Sequence, residues 1–312
     1  MVQRTFLFLK KIKALSQKLR IGTRGSRLAL WQANFTKDKL EALGIEVELI
    51  IIKTKGDKIQ HLSFDKIEGK GFFTKEIEDA LLRGDIDMAV HSMKDLPTES
   101  PEGLAITAVS YRENPADWLM IRKEVLAENM LMKLPEKAIV GTSSARRKAQ
   151  MLHFRKDIEL RDIRGNVPTR LDKLRKGDFD AILLAAAGVS RLEMDLSEFE
   201  IIKMNPREFV PAPAQGVLAW QTCKDDLTTR RILKNLHHSD VSAVTNVERR
   251  VLQLMEGGCH MPLGVYCEQD QMYNYHVWAA KADEWNAPVK MTRISSSTSH
   301  QLAEEVVKKL SE

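Results

Sequence analysis

Residues 19–33 read LRIGTRGSRLALWQA, and residues 138–152 repeat the same order of residue types as AIVGTSSARRKAQML. In each stretch a short apolar run leads to Gly-Thr, then to serine, and then to an apolar pattern with helical spacing. Serine is a preferred N-cap because its side-chain oxygen accepts a hydrogen bond from a backbone N–H of the first helical turn. Both stretches therefore predict a buried strand, a tight turn and a capped helix.

A second pair of stretches extends this internal repeat. Residues 82–90 read LRGDIDMAV and residues 174–182 read LRKGDFDAI, so in each a helix ends near a glycine and an apolar strand follows. Similar modules thus occupy residues 19–111 and 112–208. We predict an α/β fold class in which two such domains face a shared cleft, because α/β folds bind anions where helices begin at the carboxyl ends of strands.

The chain changes character after Val210. The turn-rich run PAPAQG at 211–216 predicts a crossing, and the apolar run at 217–220 predicts a strand that returns to the first domain. A helix at 243–256, strands at 263–267 and 273–279, and a last helix at about 300–310 predict a small α+β unit. The predicted organisation is an N-terminal extension at 1–18, domain 1 at 19–111 and 209–234, domain 2 at 112–208, and domain 3 at 235–312.

Composition excludes several classes of protein. With 312 residues, 43% hydrophobic and 29% charged, the chain is long enough and apolar enough for two or three globular domains. Aromatic residues make up 6% and the net charge is +5, which argues against a nucleic-acid platform. No apolar run approaches the roughly 18 residues of a membrane span. Three cysteines give no disulfide framework, so we expect a cytoplasmic protein without nucleic-acid or membrane partners.

The first 19 residues carry five basic residues and no acidic residue. Their apolar run at 6–9 is too short for a secretory signal core. We interpret this stretch as a basic, frayed or amphipathic extension, and an organellar presequence is the alternative.

Arginines cluster around the predicted helix starts. A guanidinium group can bind a carboxylate through two parallel hydrogen bonds, and the start of a helix adds free backbone N–H groups. A capped helix alone is ordinary architecture and a basic loop alone can simply be solvated, but two matched turns with arginines favour an anion site. The candidate residues are Arg24, Ser26 and Arg27 at the first turn, Ser143, Ser144, Arg146 and Arg147 at the second, Arg164 and Arg170 around the turn Gly165-Asn166, and Arg191.

A carboxylate stands out among these cations. The run HSMKDLP at 91–97 follows the predicted strand 88–90 and places Lys94 beside Asp95. The pair can be a structural ion pair. Alternatively, Asp95, whose ordinary pKa of about 3.9 keeps it ionised at neutral pH, can stabilise a cation that develops on a substrate or pass a proton.

Two glycine-rich segments complete the candidate site. In EGGCH at 256–260 the glycines allow the backbone to present Cys259, and nearby positive charge would favour its thiolate. A nucleophilic thiol in an arginine-rich protein indicates a covalently held, multiply anionic ligand. In GKGFF at 69–73 the two glycines indicate a lid that carries Lys70, while Phe72 and Phe73 favour a role as core anchors. Metal-ligand spacing is lacking, so no metal is expected.

Several of these stretches together resemble the porphobilinogen deaminase (hydroxymethylbilane synthase) family. The resemblance covers residues 19–275 roughly, in order. The matching stretches are Gly22-Thr23-Arg24 with Ser26 and the run LALWQA at 28–33, GKGFF at 69–73, HSMKDLP at 91–97, VGTSSARR at 140–147, RGNV at 164–167, and EGGC at 256–259.

The resemblance implies an activity, a cofactor and a fold. Enzymes of this family join four porphobilinogen molecules head to tail into hydroxymethylbilane and release ammonia at each addition. The product grows on a dipyrromethane cofactor, held by a thioether at the position of Cys259. The first two domains would resemble type II periplasmic binding proteins, and the enzyme would act on a small molecule as a monomer.

The resemblance also implies roles for single residues. Asp95 would be catalytic, with Lys94 assisting, and would stabilise the azafulvenium cation that remains when ammonia leaves. Each pyrrole carries an acetate and a propionate, which calls for cations. The implied cofactor-binding residues are Cys259, Ser26, Lys94, Asp95, Ser144, Arg146 and Arg147, and the implied substrate-binding residues are Arg24, Ser26, Arg164, Arg170, Arg191, Lys70 and Phe73.

Three residues depart from the family pattern, and they concern local geometry rather than chemistry. Pro168 stands where a small or polar residue is usual, Ala214 replaces a common glycine, and Trp220 is larger than the usual aliphatic residue. The alternative function is a non-catalytic solute-binding protein with the same two-domain cleft, which would leave Cys259 without a role.

Overall fold

A computed structural model describes residues 18–54, 74–256 and 261–312 of the chain. Their contacts divide them into two compact units. Unit 1 contains residues 18–54, 74–111 and 217–239, and unit 2 contains 112–216, 240–256 and 261–312. Each unit is described by itself. The three domain ranges expected from the sequence stay predictions, as does the cleft.

Unit 1 is built on a five-stranded sheet with the order β2-β1-β3-β10-β4. The first three strands in this order are parallel, and β10 is antiparallel to both of its neighbours. The strands are β1 (Leu19–Thr23), β2 (Val47–Ile51), β3 (Met88–Ser92), β4 (Leu104–Val109) and β10 (Leu218–Cys223), and the helices are α1 (Arg27–Glu41), α2 (Lys75–Leu82) and α6 (Leu227–Leu233).

Unit 2 repeats this arrangement in a second five-stranded sheet with the order β7-β6-β8-β5-β9. Strands β7, β6 and β8 are parallel, and β5 is antiparallel to both β8 and β9. The strands are β5 (Asp117–Arg122), β6 (Ile139–Gly141), β7 (Glu159–Arg161), β8 (Ala181–Ala185) and β9 (Phe199–Lys203), and the helices are α3 (Ala145–Phe154), α4 (Val167–Arg175) and α5 (Ala186–Ser190).

The predicted α/β fold class is therefore confirmed, and the internal repeat of the sequence is a repeat of topology. In both sheets the strand that leads to the Gly-Thr turn lies second in the order, and the antiparallel strand lies fourth. Each antiparallel strand follows a point where the chain passes from one unit to the other, β5 after residue 112 and β10 after residue 216.

A separate antiparallel sheet of three strands lies in the C-terminal part of unit 2. Its core contains Val251, Val265, Val277 and Val306, all of them fully buried. The predicted helices and two strands are found within a few residues of their expected bounds, but the third strand was not predicted because its sequence, KMTRISS, is largely polar. The elements are α7 (Ser239–Leu254), β11 (Leu263–Gln269), β12 (Tyr275–Lys281), β13 (Lys290–Ser296) and α8 (Leu302–Ser311).

One buried carboxylate ties this sheet to the segments where the chain crosses between units. Glu248 on α7 is fully buried and forms an ion pair with Arg112, at 2.7 Å between Oε1 and Nη1. It also accepts hydrogen bonds from the backbone N–H groups of Ala214 (2.6 Å) and Cys267 (2.7 Å). The ion pair and the two backbone hydrogen bonds compensate for the burial of this carboxylate, which would otherwise be strongly unfavourable.

The three departures from the family pattern are accommodated in different ways. Ala214 has φ of 60°, in the left-handed region that favours glycine. Trp220 is buried, and its indole N–H donates to the Thr36 hydroxyl at 2.9 Å. Pro168 lies in the first turn of α4, where a missing backbone N–H costs no helical hydrogen bond.

Candidate active site

The first Gly-Thr turn of the sequence is positioned by β1 and α1 in unit 1. Ser26 is the N-cap of α1, and its Oγ accepts from the backbone N–H of Ala29 at 3.3 Å. Thr23 is fully buried and donates to the carbonyl of Ala29 at 3.1 Å, which holds the turn against the helix. The predicted cap is confirmed, and Arg24 lies half-buried on the turn.

Asp95 lies at the same edge of the sheet, after the neighbouring strand β3. Strand β3 ends at Ser92, and a single 3₁₀ turn, Met93–Asp95, carries the carboxylate clear of the sheet. Asp95 is exposed, whereas Met93 beside it is buried and anchors the turn. Within the described ranges its carboxylate takes part in no ion pair or hydrogen bond, so the structural pair with Lys94 is not observed there.

These two turns border a cavity of about 100 Å³, which we call the Asp95 cavity. It is polar on the side of the turns and apolar beneath α1 and β3. Parallel neighbours β1 and β3 bring their carboxyl ends to one edge of the sheet, which explains why distant stretches of sequence meet here. Its lining residues are Arg24, Ser26, Leu28, Ala29, Gln32, Thr74, Ile77, Val90, His91, Ser92 and Asp95.

A buried chain of hydrogen bonds runs beneath the cavity. His91 Nε2 lies 3.1 Å from Gln221 Oε1, the Gln221 amide nitrogen donates to Glu78 at 3.0 Å, and Thr74 Oγ1 donates to the other Glu78 oxygen at 3.2 Å. All four side chains belong to residues that are at most 6% exposed. Burial lowers the pKa of His91 to about 4, against the effect of its bond to Gln221, and the nearby positive charge of Arg24 lowers it further. His91 is therefore neutral at neutral pH.

The second Gly-Thr turn, in unit 2, is capped in the same way but its arginines turn inward. Ser144 caps α3 by accepting from the backbone N–H of Arg147 at 3.4 Å. Arg146 and Arg147 are both more than nine-tenths buried and each lies 2.7 Å from a carboxylate oxygen of Asp117. Arg146 also donates to the carbonyl of Val210 at 2.9 Å.

Asp117 is the fully buried counter-charge of this pair of arginines. Burial by itself would raise its pKa, but the charges of Arg146 and Arg147 outweigh it and hold the pKa far below the usual range. Gln215 adds a hydrogen bond to the same carboxylate at 3.0 Å. Hydrogen bonds from Arg146 and Arg147 to Asp117 thus occupy part of each guanidinium group, and their predicted role in cofactor binding stays a prediction.

Two other arginines, Arg164 and Arg170, add positive charge near Arg147. Burial lowers the pKa of Arg170 to about 10, and repulsion from Arg147 and Arg164 adds to the effect. Arg170 Nε donates to the carbonyl of Gly165 at 2.8 Å, and none of the ion pairs formed within the described part of the chain includes Arg170. Arg147, Arg164 and Arg170 therefore form what we call the arginine cluster, which is the arrangement an anion would stabilise.

The remaining predicted residues are placed as follows. Arg191 is buried at the end of α5 and donates to the carbonyl of Gly216 at 2.8 Å. Lys94 is half-buried on the turn before Asp95. Lys70, Phe73 and Cys259 lie outside the described residues.

Several residues of the site were not predicted individually from the sequence. Gln32, at an apolar-looking position of α1, donates to the Ser92 hydroxyl at 2.9 Å. Asp117 and Gln221 gave no local signal because their partners lie 29 to 143 residues away in sequence, and Glu78 is one of those distant partners. His91 was part of a recognised stretch but was given no role.

Within the described ranges, no group of three or more His, Cys, Asp or Glu side chains is arranged to hold a metal ion. In those same ranges no helix has the length and apolar character needed to cross a membrane.

Comparison with known proteins identifies the family. The family model described as "Porphobilinogen deaminase, dipyromethane cofactor binding domain" matches residues 19–231. Porphobilinogen deaminase of Chloroherpeton thalassium is 42% identical over 94% of this chain and 92% of its own length. That of Nitratiruptor sp. is 47% identical over 80% of this chain and 78% of its own. A solved structure similar to the chain is the BvgS periplasmic VFT2 domain of Bordetella pertussis, with TM-score 0.43 and 12% identity over 81% of this chain and 97% of that one.

The match covers more than half of the chain, including both Gly-Thr turns, the Asp95 turn and the arginine cluster. Curated relatives extend it over nearly the whole length. The chain therefore belongs to the porphobilinogen deaminase family, the transferases of tetrapyrrole biosynthesis that build hydroxymethylbilane from porphobilinogen on a dipyrromethane cofactor.

Proposed function

We propose that the Asp95 cavity is where the reacting pyrrole binds and that Asp95 is the catalytic residue. The observation that carries this proposal is an exposed carboxylate beside Arg24 and Ser26 in one cavity. A carboxylate that makes no ion pair within the described residues keeps its charge available for a substrate. Arg24 and Ser26 supply the donors that the acetate and propionate groups of a pyrrole need.

The reaction needs such a carboxylate at two steps, the loss of ammonia and the loss of a proton. When the C–N bond of the aminomethyl group breaks, its electron pair leaves with nitrogen as ammonia, and a positive charge spreads from the methylene carbon to the pyrrole nitrogen. Asp95 stabilises that charge electrostatically. After the new C–C bond forms, the joined ring must lose one proton, and the same carboxylate can accept it. Lys94, next to Asp95, assists by its charge.

We assign carboxylate binding to cations of both units. The lowered pKa of Arg170 supports the arginine cluster as an anion site, because an anion bound there would relieve the repulsion between its members. The acetate and propionate groups of a dipyrromethane fit such a site. The proposed cofactor-binding residues are Ser26, Lys94, Asp95, Ser144, Arg146 and Arg147, and the proposed substrate-binding residues are Arg24, Ser26, Lys70, Phe73, Arg164, Arg170 and Arg191.

We assign the covalent attachment to Cys259. The other two thiols are poor nucleophiles, since burial raises the pKa of Cys223 and also that of Cys267, where Glu248 raises it further. When bound, the dipyrromethane supplies the free pyrrole position to which the first porphobilinogen is joined.

Intact-protein mass spectrometry tests this assignment. We expect the purified enzyme to exceed its polypeptide mass by two porphobilinogen units less two ammonia molecules. Cys259→Ser should lose this excess, while the matched controls Cys223→Ser and Cys267→Ser should keep it. A bare polypeptide mass in active enzyme, or an excess retained in Cys259→Ser, would refute the attachment.

The finer statements on cell biology are also proposals. We propose a monomer that acts in the cytoplasm on a small molecule, without nucleic-acid or membrane partners. An odd number of cysteines supports a reducing compartment. Sedimentation velocity of the purified enzyme at several concentrations checks the monomer, and a dimer at all concentrations would contradict it.

A further inference from the structure

His91 is a buried histidine whose role the proposed mechanism leaves open. It lies on β3, four residues before Asp95, is 6% exposed, and borders the Asp95 cavity. Only its Nε2 atom is bound by the chain beneath the cavity, at 3.1 Å from Gln221 Oε1. Among the described residues nothing donates to or accepts from its Nδ1 atom. The Nδ1 atom therefore has hydrogen-bonding capacity that the described residues do not use.

The hydrogen-bond chain determines which nitrogen of His91 carries the proton. Gln221 Nε2 donates to Glu78 Oε1 at 3.0 Å, so the NH₂ end of the amide faces Glu78. The opposite end, the oxygen, therefore faces His91 and can only accept. Consequently Nε2 must be the protonated nitrogen. In a neutral imidazole the other nitrogen, Nδ1, then carries a lone pair and is an acceptor.

Other polar groups of the cavity are acceptors as well, and its hydroxyls already take part in hydrogen bonds within the protein. Ser26 Oγ already accepts from the backbone of α1, Ser92 Oγ accepts from Gln32, and Thr74 Oγ1 donates to Glu78. Asp95 offers a charged acceptor. The nearby Arg24 charge, which helps to keep His91 neutral, disfavours a cationic donor there but not an uncharged N–H.

We propose that His91 is a further catalytic-site residue that contacts the ligand: its Nδ1 accepts a hydrogen bond from the N–H of a pyrrole ring, and Gln221 and Glu78 are positioning residues that fix the imidazole tautomer. This inference rests on the proposed binding of a pyrrole in the Asp95 cavity. His91 accepts a bond without taking the proton, since the burial that keeps it neutral persists when the cavity is filled. The ring can belong to the cofactor or to incoming porphobilinogen.

Nitrogen-15 NMR of histidine-labelled enzyme tests the proposal directly. His91 signals are assigned by their loss in His91→Asn. In holoenzyme we expect a protonated Nε2, and an Nδ1 signal that lies in the hydrogen-bonded range if a cofactor ring is its partner. If incoming porphobilinogen is the partner, Nδ1 starts unbound and shifts only on addition of porphobilinogen. Comparison with cofactor-free Cys259→Ser separates the two sources, and holoenzyme with and without porphobilinogen suffices if that variant fails to fold.

A protonated Nδ1, or an Nδ1 signal that is unbound in holoenzyme both before and after porphobilinogen is added, overturns the proposal.

Kinetics supply a second, independent readout. His91→Leu removes the acceptor and should weaken kcat/KM about tenfold or more, the effect of one lost hydrogen bond to a ligand. His91→Asn keeps an acceptor near the position of Nδ1 and should recover part of the loss. The exposed His300→Gln is the control and should change nothing. Equal losses in the Leu and Asn variants contradict a role for the Nδ1 acceptor.

The positioning residues have their own test. Gln221→Leu leaves every residue that lines the cavity in place but removes both hydrogen bonds of the amide. We expect the NMR signals of His91 to show a mixture of tautomers, together with a loss of kcat/KM similar to that of His91→Leu. A purely structural role of Gln221 would leave the tautomer unchanged. If the cofactor adduct and turnover are present but the NMR signals of His91 show no contact with the ligand, this inference fails while the proposed function stands.

Discussion

The two five-stranded sheets share one strand order but place their buried polar residue at different points of the antiparallel strand. In unit 2 the first residue of β5, Asp117, pairs with the last residue of β8. The matching residue of β10 in unit 1 is Leu218, which pairs with the last residue of β3. Three residues further along each strand the polar residue is in the other unit: β10 has Gln221 where β5 has the apolar Met120.

The position of this buried polar residue determines the surroundings of the Gly-Thr turn in each unit. Asp117 draws Arg146 and Arg147 inward and leaves a fixed group of cations in unit 2. In unit 1 no such carboxylate lies beneath the turn within the described residues; instead Gln221 orients a neutral histidine, and Arg24 borders a cavity with Asp95. The same topology thus holds a cluster of buried charges in one unit and, in the other, the cavity that we propose to be reactive.

The most direct test of this difference between the units is to remove the charge of Asp95 in the cavity. Asp95→Asn keeps the shape but abolishes the charge that stabilises the developing cation, so turnover should fall by about 100-fold to 10,000-fold. Porphobilinogen consumption is the measurement, and intact mass should still show the cofactor. The exposed Asp38→Asn on α1 is the matched control. Turnover close to that of the unmodified enzyme would remove Asp95 from the mechanism.

The second test removes the charge of Asp117 in unit 2. Asp117→Asn leaves two buried guanidinium groups without their counter-charge, and the free energy of unfolding should fall by about 3–5 kcal/mol. Urea denaturation measures it. Asp172→Asn, which breaks an exposed ion pair with Arg175, should change stability little. A similarly small loss in Asp117→Asn would mean that the inward arginines do not depend on Asp117.

The Asp117→Asn variant should also differ from the unmodified enzyme in how its stability depends on pH in acid. The folded-state pKa of Asp117 is lowered, so its contribution to stability is fully present above the unfolded-state value of about 3.9 and is lost as pH falls towards the folded-state value. Below pH 4 the unfolded state binds the proton first, which favours unfolding. Stability of Asp117→Asn should therefore decline less steeply between pH 4 and pH 2 than that of the unmodified enzyme. Parallel curves would exclude this carboxylate as a source of acid sensitivity.

The smallest expected effect concerns the arginine cluster. Arg170→Gln removes one charged donor from an anion site, and KM for porphobilinogen should rise about tenfold with a smaller change in kcat. Arg175→Gln, on the same helix but paired with Glu198 and Asp172, is the control. If both variants behave alike, the cluster is a solvated surface rather than a binding site.

The repeat and the capped turns could be predicted from the sequence because their signals are local. Ser26 and Ser144 were recognised from the residues that surround them, and both are N-caps. Asp117 and Gln221 could not be recognised, since their roles depend on strand pairing across long stretches of chain. The left-handed conformation of Ala214 is one that alanine ordinarily avoids, and its signal in the sequence was the glycine that the family commonly has at this position.

Glu248 gives the C-terminal part of unit 2 a mechanical role. The carboxylate joins Arg112, where the described chain passes from unit 1 to unit 2, to Ala214, which lies two residues before the return. It also stands on α7, the helix that leads towards residue 259. If Cys259 holds the growing oligomer, as we propose, a force on it would reach both crossing segments through α7 and Glu248.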